Sequence, residues 1–200
     1  MNVAQMLDKS SYSISLGNTH QDGIISSTGM DRYNVKVSAD TKLTNNWSSG
    51  FTANYITTSI DKAVTSGNGL LRTVYAAPPS YDLAGIPSHV DGNQYTQNSF
   101  RGSFDNAYWA MDNNQFTEDT NRFFGNVYAS YQTDFGTTNH KLNAKYMVGV
   151  DAYTTHYVDS YGYGSNTGGG RGQIENYGWT NATYNSLLTI NYDWHINEDW

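Results

Sequence analysis

The chain has 200 residues, of which 38% are hydrophobic, 14% aromatic and only 14% charged, with a formal net charge of −7 and no cysteine. Proteins carry roughly 25% charged residues on average, and the shortfall is filled here by Asn, Thr, Ser, Gly and Tyr, which favour strands and turns over helices. The acidic balance argues against a nucleic-acid partner, the lack of Cys excludes disulfides and thiolate metal sites, and no apolar run reaches the roughly 20 residues of a membrane helix.

The first third of the chain contains three segments in which apolar and polar residues alternate. The pattern is clearest where Lys36 separates Val35 from Val37. Because successive side chains of a strand point to opposite faces, such a segment has one apolar and one polar face. We predict strands over residues 11–25, 31–43 and 50–60.

A long irregular stretch, about residues 62–121, follows these strands. It contains all three prolines, Pro78, Pro79 and Pro87. Residues 69–79 predict a short helix that the proline pair ends, because proline cannot continue a helix. A loop of this length is uncommon unless long loops belong to the architecture.

The second half of the chain repeats the strand pattern three times. Val127 and Ala129, for example, alternate with Tyr128 and Ser130. A second long loop, rich in glycine, spans about residues 160–180. We predict strands over residues 123–136, 141–158 and 182–196.

The predicted connections alternate between short and long, which is typical of outer-membrane barrels with their short turns at one rim and long loops at the other. Strands of about a dozen residues also exceed the usual 5–6 and match the roughly 9–11 needed to cross a bilayer. We therefore predict an all-β fold in which residues 1–200 are one partial barrel domain of about six antiparallel up-and-down strands. Because membrane barrels have about 8 strands or more, these strands do not close alone.

In this architecture lipid covers the apolar strand faces, while the polar faces line a wet interior. Aromatic residues are placed as two interfacial girdles would place them, although Tyr and Trp are also simply good strand residues. The aromatic residues near short turns are Trp47, Trp194 and Trp200, and those toward the long loops are Tyr55, Tyr157 and Trp179. The first residues lack the features of a signal peptide, and we expect a fragment of a longer protein.

Residues 29–55, 74–82 and 106–131 contain three motifs that together resemble the SusC/RagA-type TonB-linked outer-membrane receptors of Bacteroidetes. Residues 106–131 are similar to that family's N-P-Y-W-like run followed by N-R-F and a strand containing G-N, with Ala107 in the place of the proline. Residues 74–82 are similar to its Y-R-T-P-P-S-F-D segment, and residues 29–55 to its G-x-x-R-Y-N strand pair. The residues that match the first motif are Tyr108, Trp109, Asn121, Arg122, Phe123, Gly125 and Asn126.

The resemblance implies a barrel of about 22 strands in the outer membrane of a Gram-negative cell, plugged by an N-terminal domain that residues 1–200 do not contain. Such receptors import oligosaccharide or peptide fragments with energy supplied through TonB, usually under a SusD-like surface lipoprotein. They are not enzymes and need no cofactor. The alternative is a soluble secreted β-sandwich, either a carbohydrate-binding module or a glycosidase, whose apolar strand faces pack on one another.

One cluster of aromatic and amide residues in the first long loop is the candidate substrate contact. Aromatic rings stack on sugars or peptides, and amides hydrogen-bond their polar groups. The competing interpretation is that Tyr108 and Trp109 anchor the loop inside the barrel mouth. The candidate residues are Tyr81, Asp82, Tyr108, Trp109, Asn113 and Asn114.

Other polar groups offer weaker signals. The five His show no metal-ligand spacing, and a glycine-rich TGGGRG run lacks the ending of a P-loop. Asp151 and Asp193 face one side of the predicted strands, but two acids on one barrel wall are commonplace. An acidic group has oxygen ligands of the kind Ca²⁺ prefers but no EF-hand spacing, so we predict no metal site; its members are Asp105, Asp112, Glu118 and Asp119.

Overall fold

The computed structural model describes residues 1–64, 69–136 and 139–196. Nine strands and two short helices, α1 (Leu70–Ala76) and α2 (Ala107–Asn113), form most of these residues. The strands are β1 (Asn2–Met6), β2 (Ser10–Asp22), β3 (Gly29–Lys42), β4 (Trp47–Lys62), β5 (His89–Val90), β6 (Asn93–Gln97), β7 (Gln115–Thr133), β8 (His140–Tyr161) and β9 (Gln173–Trp194). The all-β prediction is confirmed.

Seven of the strands form one antiparallel sheet in the order β1-β2-β3-β4-β7-β8-β9, while β5 and β6 pair separately. Neighbours in the large sheet follow one another in the chain, apart from the insertion between β4 and β7, so the predicted up-and-down topology is confirmed. Within the described ranges β1 does not pair with β9, and the sheet is open.

Apart from β2, which ends at Asp22 and not at residue 25, the predicted strands are longer than the sequence pattern indicates. β7 begins at Gln115 and β9 at Gln173, because polar residues there pair with neighbouring strands as regularly as the apolar ones do. The two long connections are correspondingly shorter, residues 63–114 and 162–172. The predicted helix is confirmed as α1, whereas β1 and α2 were not predicted.

The connections fall at two rims. The short ones after β1, β3 and β7 lie at one end of the sheet, which we call the short-turn rim. Those after β2, β4 and β8 lie at the other end, the long-loop rim. Both long connections therefore lie at one rim, as expected from the sequence, although the six-residue connection after β2 is no longer than the one after β7.

The sheet has two chemically different faces. On one face, Phe51 pairs with Val127 and Val127 with Val148, and most residues of the two adjacent rows are apolar. We call this the apolar face. We call the opposite face the polar face. Close to the Val127 row along the strands, it carries Asn126 and Asp151. Strict period-two alternation without register shifts keeps the two faces separate across the large sheet.

The buried core lies at the long-loop rim and not against the apolar face. Its apolar members come from α2, the chain before it and the first residues of β7; they are Phe104, Ala107, Trp109, Ala110 and Phe116. Side chains of the apolar face are instead exposed: Val127 is 53% exposed, Tyr146 50% and Ile190 62%. In the described part of the chain, the long connections contain the packed interior and the sheet is a single layer.

No helix among the described residues is long and apolar enough to cross a membrane.

Candidate functional site

The apolar face concentrates its hydrophobic residues in a central band. Eight residues of β4 separate Trp47, near the short-turn rim, from Tyr55, a rise of about 27 Å at roughly 3.4 Å per residue. At a strand tilt of about 40° this corresponds to roughly 21 Å along a membrane normal, close to the roughly 25 Å apolar belt of outer-membrane barrels. We call these rows the apolar band; its larger members are Ile14, Leu16, Val35, Phe51, Tyr55, Phe123, Val127, Tyr146, Val148, Tyr184, Leu188 and Ile190.

The apolar band ends sharply toward the long-loop rim. The next row on the same face contains Thr57, Asn121 and Thr154, and the Thr154 hydroxyl lies 3.0 Å from that of Thr180. One row further, the Ser59 hydroxyl donates to Asp119 over 2.6 Å. A boundary of this kind is expected where hydrocarbon gives way to water.

Aromatic residues mark the band edges only in part. Trp47 packs on Tyr131 with ring centroids 5.0 Å apart near the short-turn rim, and Tyr55 lies at the opposite edge of the band. Tyr157 and Trp179 lie on the polar face, so the prediction that they join a lipid-facing girdle is wrong. Trp200 lies outside the described residues.

Charged and hydroxyl groups are paired across strands on the polar face. Arg122 donates to Asp151 through Nε over 2.8 Å and through Nη2 over 2.5 Å, a bidentate geometry that fixes both side chains. The Tyr128 hydroxyl donates to Asp40 over 2.6 Å, and the Lys145 Nζ lies 4.1 Å from the Tyr128 ring centroid. This surface suits a water-filled interior.

We call the buried part of the first long connection, centred on Trp109, the loop core. The Trp109 side chain is fully buried. Its indole Nε1 donates to the Gln94 carbonyl over 2.9 Å. Asn106 caps α2, since its side-chain oxygen accepts from the Tyr108 and Trp109 amides over 2.9 and 3.2 Å. Gly164 approaches closely, and a Cβ there would collide with the Tyr95 carbonyl.

A buried carboxylate joins the two long connections. Asp105, 2% exposed, accepts hydrogen bonds from the Gln97 amide, the Ser165 hydroxyl and the Asn166 backbone over 2.8, 2.6 and 2.7 Å. Its own carbonyl accepts from the Thr73 hydroxyl over 2.8 Å. We call these five residues the Asp105 clamp. It joins the long segment before β7, residues 63–114, to the segment after β8, residues 162–172.

Most of the predicted substrate-contact residues make hydrogen bonds or ring contacts within the long connections. Asn113 donates to the Trp109 carbonyl over 3.0 Å, and Asn114 accepts from the Gly162 amide over 2.9 Å. Tyr81 packs on Phe100 with centroids 5.2 Å apart.

The remaining two of these residues differ in exposure and role. Asp82 accepts from the Gly85 amide in a turn over 2.8 Å. Tyr108 is 43% exposed and therefore presents a ring to solvent, whereas its neighbour Trp109 does not.

The acidic and histidine groups do not assemble into a metal site among the described residues. Asp105 belongs to the clamp, and Glu118 and Asp119 lie on opposite faces of β7. Asp151 and Asp193 share the polar face, but Asp151 is opposite Thr183, ten residues from Asp193 along β9. That separation is about 33 Å at roughly 3.3 Å per residue, well beyond the about 5–9.5 Å of paired glycosidase carboxylates.

Replacing Asp105 with asparagine is expected to loosen the clamp by about 1–2 kcal/mol, because an amide nitrogen would face donors that now meet a carboxylate. Limited proteolysis should then cut residues 162–172 several-fold faster than in the wild-type protein. Asp112→Asn removes an exposed carboxylate from the same region and should leave cleavage unchanged. Equal cleavage of both variants would contradict a structural role for the clamp.

No protein-family model matches the chain, and no curated protein matches it.

Proposed function

We propose that the chain forms part of the wall of an outer-membrane nutrient importer of the SusC/RagA type, which takes up glycan or peptide fragments. The observation that carries the proposal is the apolar band, an extended hydrophobic surface on a single-layer sheet. A surface of this size in water would promote association, whereas acyl chains would cover it without further protein. The motifs around Trp109 and Arg122 support the choice of family.

In this proposal the strands themselves have a passive role. Paired backbone groups and the apolar band make a wall that hydrocarbon can contact, and the polar face borders the transport path. The Asp105 clamp fixes the long connections as one body at the extracellular mouth. The proposal for the whole receptor also includes a plug, a SusD-like lipoprotein partner and energy coupling through TonB. The strands themselves carry out no chemistry.

Membrane fractionation tests this proposal. In cells that express the protein, we expect it in the outer-membrane fraction, resistant to extraction by carbonate and by urea, and released only by detergent. A monodisperse protein recovered without detergent would contradict the proposal and favour a soluble secreted β-sandwich.

A further inference from the structure

An aromatic strip interrupts the polar face near the long-loop rim. Elsewhere this face carries mainly Ser, Thr, Asn and charged residues. Here it carries five rings, and two of them are widely exposed, Tyr177 at 44% and Trp179 at 51%. We call this set the aromatic strip; its members are Phe116, Tyr157, Tyr161, Tyr177 and Trp179.

The rings of the strip contact one another in two groups. Tyr157 stacks on Tyr177 with centroids 5.0 Å apart and planes 9° from parallel. Trp179 lies 5.2 Å from Tyr157 at 37°, and Phe116 meets Tyr161 edge-on at 5.0 Å. Ring contacts of this kind hold flat surfaces in fixed orientations, so the strip is a preformed platform.

Polar groups and a cavity border the platform. The Lys62 Nζ lies 4.4 Å from the Tyr157 ring centroid and 3.4 Å from Glu118. The Tyr177 hydroxyl donates to Asp159 over 3.2 Å. A cavity of about 630 Å³ lies beside three rings of the strip, Phe116, Tyr161 and Tyr177. Its other lining residues include Lys62, Asp159 and Leu71. Its volume is within the roughly 300–1,000 Å³ of small-ligand sites.

We propose that the aromatic strip binds the sugar rings of a neutral oligosaccharide, an inference that rests on the proposed importer function and specifies its ligand contact. Exposed ring faces match the C–H faces of sugars, and the bordering carboxylates and hydroxyls match their OH groups. Lys62 is paired with Glu118, and Asp159 accepts from the Tyr177 hydroxyl, so these charged groups have partners within the site and it does not demand a charged ligand. β8, the strand of Tyr157 and Tyr161, pairs on both sides, with β7 and β9, so a peptide could add to the sheet beside the strip only at the β9 edge.

Calorimetric titration of the detergent-solubilised protein with maltohexaose, cellohexaose, xylohexaose and mannohexaose tests the inference. We expect at least one hexasaccharide to bind, and Trp179→Ala to weaken that binding about tenfold by removing one stacking surface. Tyr177→Ala should have a similar effect. Trp47→Ala is the matched control, since Trp47 is 47% exposed on the opposite face, and its affinity should equal that of the wild-type protein.

Three results would overturn the inference: no hexasaccharide binds, Trp179→Ala binds as tightly as Trp47→Ala, or only an uncharged hexapeptide binds. Heat-modifiable migration on gels checks that each variant is folded. If binding fails while the protein remains integral to the outer membrane, the aromatic strip is refuted and the importer proposal stands. Extraction of the protein without detergent would refute the importer proposal instead.

Discussion

Replacing Val127 with lysine is expected to lower the free energy of unfolding in a bilayer by about 2–4 kcal/mol, as charged residues do at the middle of the lipid-facing belt of a barrel. Val127 lies between Phe51 and Val148 in the apolar band and is 53% exposed. If water covered this face, the same change would alter stability by no more than about 0.5 kcal/mol, as at other exposed positions. The size of the effect therefore reports which solvent covers the band.

Asn126→Lys is the matched control for this change. Asn126 is the preceding residue of β7, is also exposed, and projects from the polar face. Urea unfolding in lipid vesicles, followed by heat-modifiable gel migration, measures both variants. A Val127→Lys variant as stable as Asn126→Lys would contradict lipid contact at the apolar band.

Replacing Trp109 with alanine is expected to destabilise the loop core by about 3–5 kcal/mol, the usual result of removing a fully buried aromatic side chain. The change leaves a cavity at a fully buried position and frees the Gln94 carbonyl from its indole partner. The large sheet should survive, because its strands pair by backbone hydrogen bonds that do not involve Trp109.

Hydrogen exchange of the amides in residues 93–114 measures this effect, with amides of β8 as the internal reference. Tyr108→Ala changes the neighbouring residue on α2, which is 43% exposed, and should leave exchange nearly unaltered. Uniform acceleration across β8 in Trp109→Ala would show that the loop core and the sheet are one cooperative unit, against the present account.

The fold was largely predictable because it depends on a short-range pattern. Alternation around Val35, Val127 and Val148 assigns each strand one apolar face, and up-and-down connections follow from the loop lengths. β1 was missed because five residues without clear alternation carry little signal. α2 was missed because its stability comes from burying Trp109 and from the Asn106 cap, not from helix propensity.

The loop body was not predictable in the same way. The Asp105 clamp brings together Gln97, Asp105 and Ser165, which are up to 68 positions apart in the sequence, and nothing local marks an aspartate as a buried acceptor. Sequence reasoning placed Asp105 in an acidic loop, where solvent exposure was the expected state. Its burial and complete hydrogen bonding are a result of tertiary structure alone.

The aromatic strip shows where residue type misleads. Tyr146 and Tyr184 lie on the apolar face, as the alternation of β8 and β9 predicts. Tyr157 and Trp179 were assigned to a lipid-facing girdle because aromatic residues are common at membrane interfaces. The same alternation, counted from Val148 without a register shift, places Tyr157 on the polar face, and the pairing of β9 with β8 places Trp179 there too.

A cysteine scan of residues 123–131 tests most directly whether hydrocarbon covers the apolar band. Because the chain has no cysteine, each single substitution can carry one bimane label, and brominated lipids quench it by contact. Gly125 is left unchanged, because a Cβ there would collide with the Thr52 carbonyl. We predict strong quenching at the other odd-numbered positions, greatest at 127 and 129, and weak quenching at the even-numbered ones. Equal quenching along the strand, or none at position 127, would contradict the account.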